Sequence, residues 1–158
     1  MPETQGARER VIRLAFDGDE RRYQKFVEIL ETLAPPGTKV ILRGSAVTGE
    51  RWEDGRPFDA DGPGTSDLDV TFLSREMMEF WSDFHVPAFN TIPLSDENPD
   101  VCPPLTPFRK QLCELAGRPV NLQASSGFAQ FARGVIWDQP YFTLIEGEDE
   151  SDSETETA

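Results

Sequence analysis

The chain of 158 residues carries 29 acidic residues against 15 basic ones, a formal charge of −14, with 37% hydrophobic residues and a single histidine. That length supports one compact domain, read as residues 1–145 with a tail at 146–158. No run approaches the roughly 18 apolar residues of a membrane span, and MPETQGARER lacks the apolar core of a secretory signal, so the reading is a cytoplasmic protein without a membrane partner.

The tail, EGEDESDSETETA, holds seven acids and no base. It has nothing to bury and reads as a disordered, solubilising segment, with docking on a basic partner as the alternative. The other residues hold 22 acids against 15 bases, which still opposes attraction to a phosphate backbone. A nucleic-acid partner is disfavoured. Cys102 and Cys113 are too few for a disulfide framework and read as free thiols; with one histidine no Cys/His zinc spacing assembles.

In chain order, Val11–Phe16 reads as a short edge strand or an extended arm. Between Asp17 and Leu33, Tyr23, Phe26, Val27, Leu30 and Leu33 recur at helical steps, with Asp17 and Glu20 as a capping box. Pro35, Pro36 and Gly37 stop that helix. Lys39–Arg43 is β-rich and ends at Gly44-Ser45, where a short helix from Ser45 to about Arg51 begins. Residues 48–65 form a long loop rich in Gly, Pro and Asp, a length that in compact domains is often functional. Leu68–Leu73 alternates as a strand does, and Ser74 caps a helix that packs Met77, Met78, Trp81 and Phe84 inward. After a Pro-rich connection (87–104), Thr106 and Pro107 open a helix that Gly117 closes. Pro119–Gln123 and Tyr141–Ile145 are the remaining strand candidates. The class is α/β or α+β.

The chemistry lies in a combination of two elements. About five acid-x-acid pairs arise by chance in a chain with 29 acids, so the spacing of Asp67 and Asp69 alone means little. At i and i+2 of a strand, however, both carboxylates project from one face, where they can share a magnesium ion. Gly44 and Ser45 sit at a strand-to-helix turn, whose amides and hydroxyl suit phosphate oxygens. Arg43 reads equally as a phosphate contact or an exposed strand cation.

GSAVTG followed by SDLDV resembles the signature of the nucleotidyltransferase superfamily related to DNA polymerase beta. The resemblance covers Val40 to Leu73 and implies a small mixed sheet flanked by helices. It also implies that Gly44 and Ser45 contact the terminal phosphates of a nucleoside triphosphate, with ATP the expected donor, and that Asp67 and Asp69 hold Mg2+ or Mn2+. The reaction implied is transfer of a nucleoside monophosphate to an acceptor hydroxyl with release of pyrophosphate. Given the charge, the acceptor is a protein or a small molecule.

Two departures from that pattern matter. Ser45 and Asp67 lie 22 residues apart, a longer link than usual, so Trp52, Asp59 and Asp61 would cover the site. The third carboxylate of the pattern falls at Asn121, which can coordinate through its carbonyl but neither takes a proton nor neutralises charge. A general base contributes about 100- to 10,000-fold to such a reaction. Asp59, Asp61 and Glu114 are the stand-ins to test. The alternative readings are a degenerate fold that binds nucleotide without turnover, supported by Asn121, and a protein-interaction module such as one half of a toxin–antitoxin pair. With about 22 residues between Gln123 and the tail, a partner chain or a second copy would complete the pocket. His85 reads as a capping or surface residue, and Trp52, Trp81 and Trp137 as packing, with base stacking open to Trp52.

Overall fold

The structure, a computed structural model, describes residues 2–50, 54–81, 91–125 and 141–147, with side chains from Gly6 onward. Its elements run α1 (Pro2–Ala15), α2 (Glu20–Leu33), β1 (Lys39–Arg43), α3 (Ser45–Thr48), β2 (Leu68–Leu73), α4 (Arg75–Met78), a single 3-10 turn at Pro103–Leu105, α5 (Thr106–Ala116), β3 (Val120–Ser125) and β4 (Tyr141–Ile145). The fold is α+β. Four strands form a mixed sheet in the order β3-β2-β1-β4, with β1 antiparallel to β2 and β4 and with β2 parallel to β3. Among the described residues no helix is long and apolar enough to cross a membrane.

The N-terminal segment corrects the sequence reading. Val11–Phe16 is neither strand nor arm; it lies in and just past α1. Val11, Ile12, Ala15 and Phe16 are buried and Ala7 packs beside them, a spacing of three to five residues that suits a helix face. At its end Asp17 takes a left-handed conformation (φ 54°) and the Gly18 amide donates to the Ile12 carbonyl at 2.9 Å, which reverses the chain. Asp17 therefore follows α1 and does not cap α2. The cap is Asp19, whose carboxylate accepts from the amides of Arg21 and Arg22.

Alternation gives the sheet two different faces. On one, Val40 and Leu42, Leu68, Val70 and Phe72, and Val120, Leu122 and Ala124 join Phe142 and Leu144 in a core with α1, α2 and α5. Phe16, Tyr23 and Phe26 meet edge-on there, with ring centroids 5.7 and 5.1 Å apart. Leu112 of α5 is fully buried in that core. Gly117 closes α5 in a left-handed conformation. The other face carries Arg43, Asp69, Thr71, Asn121, Gln123 and Tyr141.

Two helices are shorter than the sequence indicates. The helix at Ser45 ends at Thr48 because Gly49 turns left-handed and its amide closes on the Ser45 carbonyl at 2.7 Å. Ser74 does cap α4 by accepting from the Met77 amide, yet the helix stops at Met78. Trp81 is still buried and donates its indole N–H to the Ile92 carbonyl at 2.7 Å. Phe84, His85, Trp52, Trp137 and the tail from residue 148 lie outside the described residues.

Candidate functional site

The strand register assembles the site. Arg43 at the end of β1 pairs with Asp69 at the start of β2, and Asp69 pairs in turn with Asn121 at the start of β3. Tyr141 of β4 faces Arg43 from the other side. These four residues form one row across the open end of the polar face, and Asp67 stands one step outside it. The next row inward joins Thr143, Ile41, Thr71 and Gln123.

Within this row the amide nitrogen of Asn121 donates to Asp67 Oδ2 at 2.8 Å and to Asp69 Oδ1 at 3.0 Å. Both of its protons are used, one on each carboxylate. The nitrogen must be the atom facing them, since an oxygen there would meet two anions with no proton between. The remaining Asp69 oxygen, Oδ2, looks toward the turn after β1. Gly44 holds φ 104°, and a Cβ built on it would come within 3.4 Å of Asp69 Oδ2. A side chain at position 44 would therefore crowd the carboxylate. The glycine-serine turn and the acidic pair, 22 residues apart in sequence, are thus neighbours.

Arg43 donates through Nη2 to Gln123 Oε1 at 3.2 Å, while its Nε is buried without a partner among the described residues. Thr71, fully buried on the same face two residues beyond Asp69, likewise has an unpartnered hydroxyl. Ser45 opens α3, held in place by Ala46 and Val47 in the core and by Arg10 of α1, which donates to the Val47 carbonyl at 2.8 Å. Partial desolvation, and after it the Asp69 charge, raises Asp67 above its ordinary value; hydrogen bonds from Asn121 and from its own amide, and the Arg43 charge, pull it back. Asp67 is exposed as a residue, so water screens much of this tension.

None of the three stand-ins for the missing carboxylate reaches the site as a free acid. Asp59 is committed to Arg118 at 2.7 Å and to the amides of Ser66 and Gly64. Asp61 pairs with Arg56 at 2.9 Å. Glu114 is exposed on α5, a helix that packs on the opposite, apolar face. Among the described residues no group of three His, Cys, Asp or Glu gathers around a metal position. Two carboxylates on one face are nevertheless a sufficient protein donor set for magnesium when phosphate oxygens complete the shell. The residues present fit such an ion in that limited sense.

Arg118 was not singled out by sequence reasoning. Its guanidinium bonds Asp59, the Ser66 carbonyl at 3.1 Å and the Leu14 carbonyl at 3.4 Å, and lies 4.5 Å above the centre of the Phe58 ring. It thereby fastens the loop that ends at Asp67 to the body of the protein. Gln123 and Thr71 were also passed over, although alternation along β2 and β3 puts them on the face of Asp69 and Asn121. Cys102 is a buried thiol pushed up to about 11 by desolvation, which disfavours the nucleophilic thiolate, and Cys113 is a half-buried free thiol on α5. No family model, curated protein or solved structure matches the chain.

Proposed function

We propose that this protein is a nucleotidyltransferase of the DNA polymerase beta-like type, which binds a magnesium–nucleoside triphosphate, ATP first, and transfers the nucleoside monophosphate to a hydroxyl of a protein or small molecule. The observation that carries the reading is the approach of Gly44 to Asp69 Oδ2, which puts an anion-suited turn beside paired carboxylates. Asp67 and Asp69 would hold the cation, which supplies charge neutralisation for the triphosphate and the departing pyrophosphate. Gly44 admits a phosphate close to the backbone, and the Ser45 hydroxyl donates to a terminal phosphate oxygen. Arg43, whose Nε has no partner among the described residues, offers a positive contact beside the cation. With Asn121 in the third position and both Asp67 and Asp69 given to the cation, no further carboxylate is left to accept the acceptor's proton, so turnover is slow and the proton passes to water.

The bridging Asn121 amide also supports a second reading, a nucleotide-binding module without turnover. Incubation with ATP labelled at the α-phosphate, magnesium and a cell extract, followed by mass spectrometry for an added monophosphate, separates the two. A modified hydroxyl supports the transferase. Magnesium-dependent ATP binding with no pyrophosphate released across acceptors leaves the module, and absence of nucleotide binding at millimolar magnesium rejects both.

A further inference from the structure

We infer that Arg118, acting through Ser66, is a positioning residue for Asp67: the segment that opens β3 holds this acid at three points and keeps it beside Asp69. The placement itself needs no nucleotide; only its value for binding rests on the nucleotide reading above. Asp67 precedes β2, so the ladder that runs from Leu68 to Leu73 does not include it. Both of its neighbours are held instead. The Ser66 carbonyl, in the peptide before Asp67, accepts from Arg118 Nη1 at 3.1 Å, and the Leu68 amide, in the peptide after it, donates to the Pro119 carbonyl at 3.0 Å. Two residues farther along, Asn121 donates to the Asp67 carboxylate at 2.8 Å.

Ser66 is bonded through its remaining polar groups as well. Its amide donates to Asp59 Oδ1 at 2.9 Å, and its hydroxyl accepts from the Asp59 amide at 2.8 Å. Asp59 Oδ1 also accepts from Arg118 Nη1, at 2.7 Å, so one guanidinium nitrogen gives a proton to each end of the Asp59–Ser66 loop. That nitrogen cannot follow a moving loop. Nη2 of the same fork donates to the Leu14 carbonyl of α1 at 3.4 Å, and the residue is only 8% exposed. Charge explains why an anchor is needed here. Asp67 is exposed, carries the charge of Asp69 against it, and stands outside the ladder; unanchored, its carboxylate would turn into water and away from its neighbour. Fixing the Ser66 carbonyl removes that escape.

Proton–nitrogen NMR on the full chain without nucleotide tests this through the Asn121 side-chain amide, whose signals are identified by their loss in Asn121→Asp. Asp67→Ala, which removes the acceptor itself, sets the endpoint for the proton facing Asp67. Arg118→Met should move that proton toward the endpoint and speed its exchange with water, while the backbone signals of β1 and β4 stay in place. Arg118→Lys, which returns a cation with several donors, should restore it. Ser66→Ala, a milder change, should move the same proton the same way by less, and it decides the question if Arg118→Met does not fold. An Asn121 proton that does not move in the folded variant overturns the inference, whatever ATP does. In parallel, magnesium-dependent ATP affinity should fall at least about tenfold in Arg118→Met and recover in Arg118→Lys. A moved proton together with a wild type that binds no ATP upholds the placement and rejects the nucleotide reading alone.

Discussion

Asp59 and Asp67 stand eight residues apart on the same stretch of chain, yet the fold treats them in opposite ways. Around Asp59 desolvation pushes the carboxyl up, but hydrogen bonds from Arg118 and from the Ser66 and Gly64 amides outweigh it and hold the group below its ordinary value. Around Asp67 desolvation and the Asp69 charge win, and the group is held above its ordinary value. The first acid is satisfied by the protein; the second is placed beside another anion with only an amide between them. An acid that stabilises the fold is paired with donors, whereas this acidic pair is left with its like-charge repulsion only partly offset.

The comparison breaks most easily at the clasp. Arg118 and Asp59 have side chains only 5% and 21% exposed, so Asp59→Ala strands a buried guanidinium and should cost about 3 kcal/mol or more. That corresponds to a fall of roughly 6–12 °C in Tm. A thermal melt within 2 °C of the wild type would show that the clasp carries no such role. Asp67→Asn with Asp69→Asn should do the reverse: metal-dependent ATP affinity falls by at least about tenfold, 1.4 kcal/mol, while relief of like-charge repulsion leaves Tm level or raises it by up to about 2 °C. Calorimetric titration and a melt check both halves; intact affinity excludes these acids from the site.

The two acids also differ in sign against pH. The lowered Asp59 contributes stability that is present above its ordinary value of 3.8 and is lost as pH falls through its lower folded value. The raised Asp67 opposes folding as pH rises through its folded value, which lies above 3.8. Denaturant unfolding between pH 2 and 6 should therefore show a steep acid loss that Asp59→Asn flattens and Asp67→Asn does not. Parallel curves for both variants would contradict the contrast.

Smaller effects sharpen the geometry of the turn. Gly44→Ala forces a side chain to φ 104° against Asp69 Oδ2 and should cost about 1–2 kcal/mol of stability, with ATP affinity falling alongside. Ser45→Ala removes one hydroxyl donor to a charged group, worth about 1.5–3 kcal/mol at most, and should weaken triphosphate more than monophosphate. Equal loss for both nucleotides in a binding assay would move the hydroxyl away from the terminal phosphates.

How legible these regions were in sequence follows from the range of the forces involved. The strands Lys39–Arg43 and Leu68–Leu73, the helix Thr106–Ala116 with its Gly117 stop, and the Ser74 cap were read from local pattern, because each is set by residues within a few positions. The N-terminal helix was misread because Val11–Phe16 was weighed without Ala7 and the helix-forming residues before it. The Asp17–Glu20 box was misassigned because Asp17-Gly18 ends one helix before Asp19 starts the next, and two adjacent turn signals compete for one cap.

What the sequence determined by itself is the inventory: a glycine-serine turn after one strand, an acidic pair opening the next, an amide where a third acid was sought, and alternation that puts them on a common face. Which of these meet was decided by strand pairing, since only the β1–β2–β3 register aligns Arg43, Asp69 and Asn121 in one row. The fate of Asp59 was likewise tertiary. Its partner Arg118 lies 59 residues away, and a charge's cost or benefit depends on what folding brings within a few ångströms of it, which no local pattern encodes.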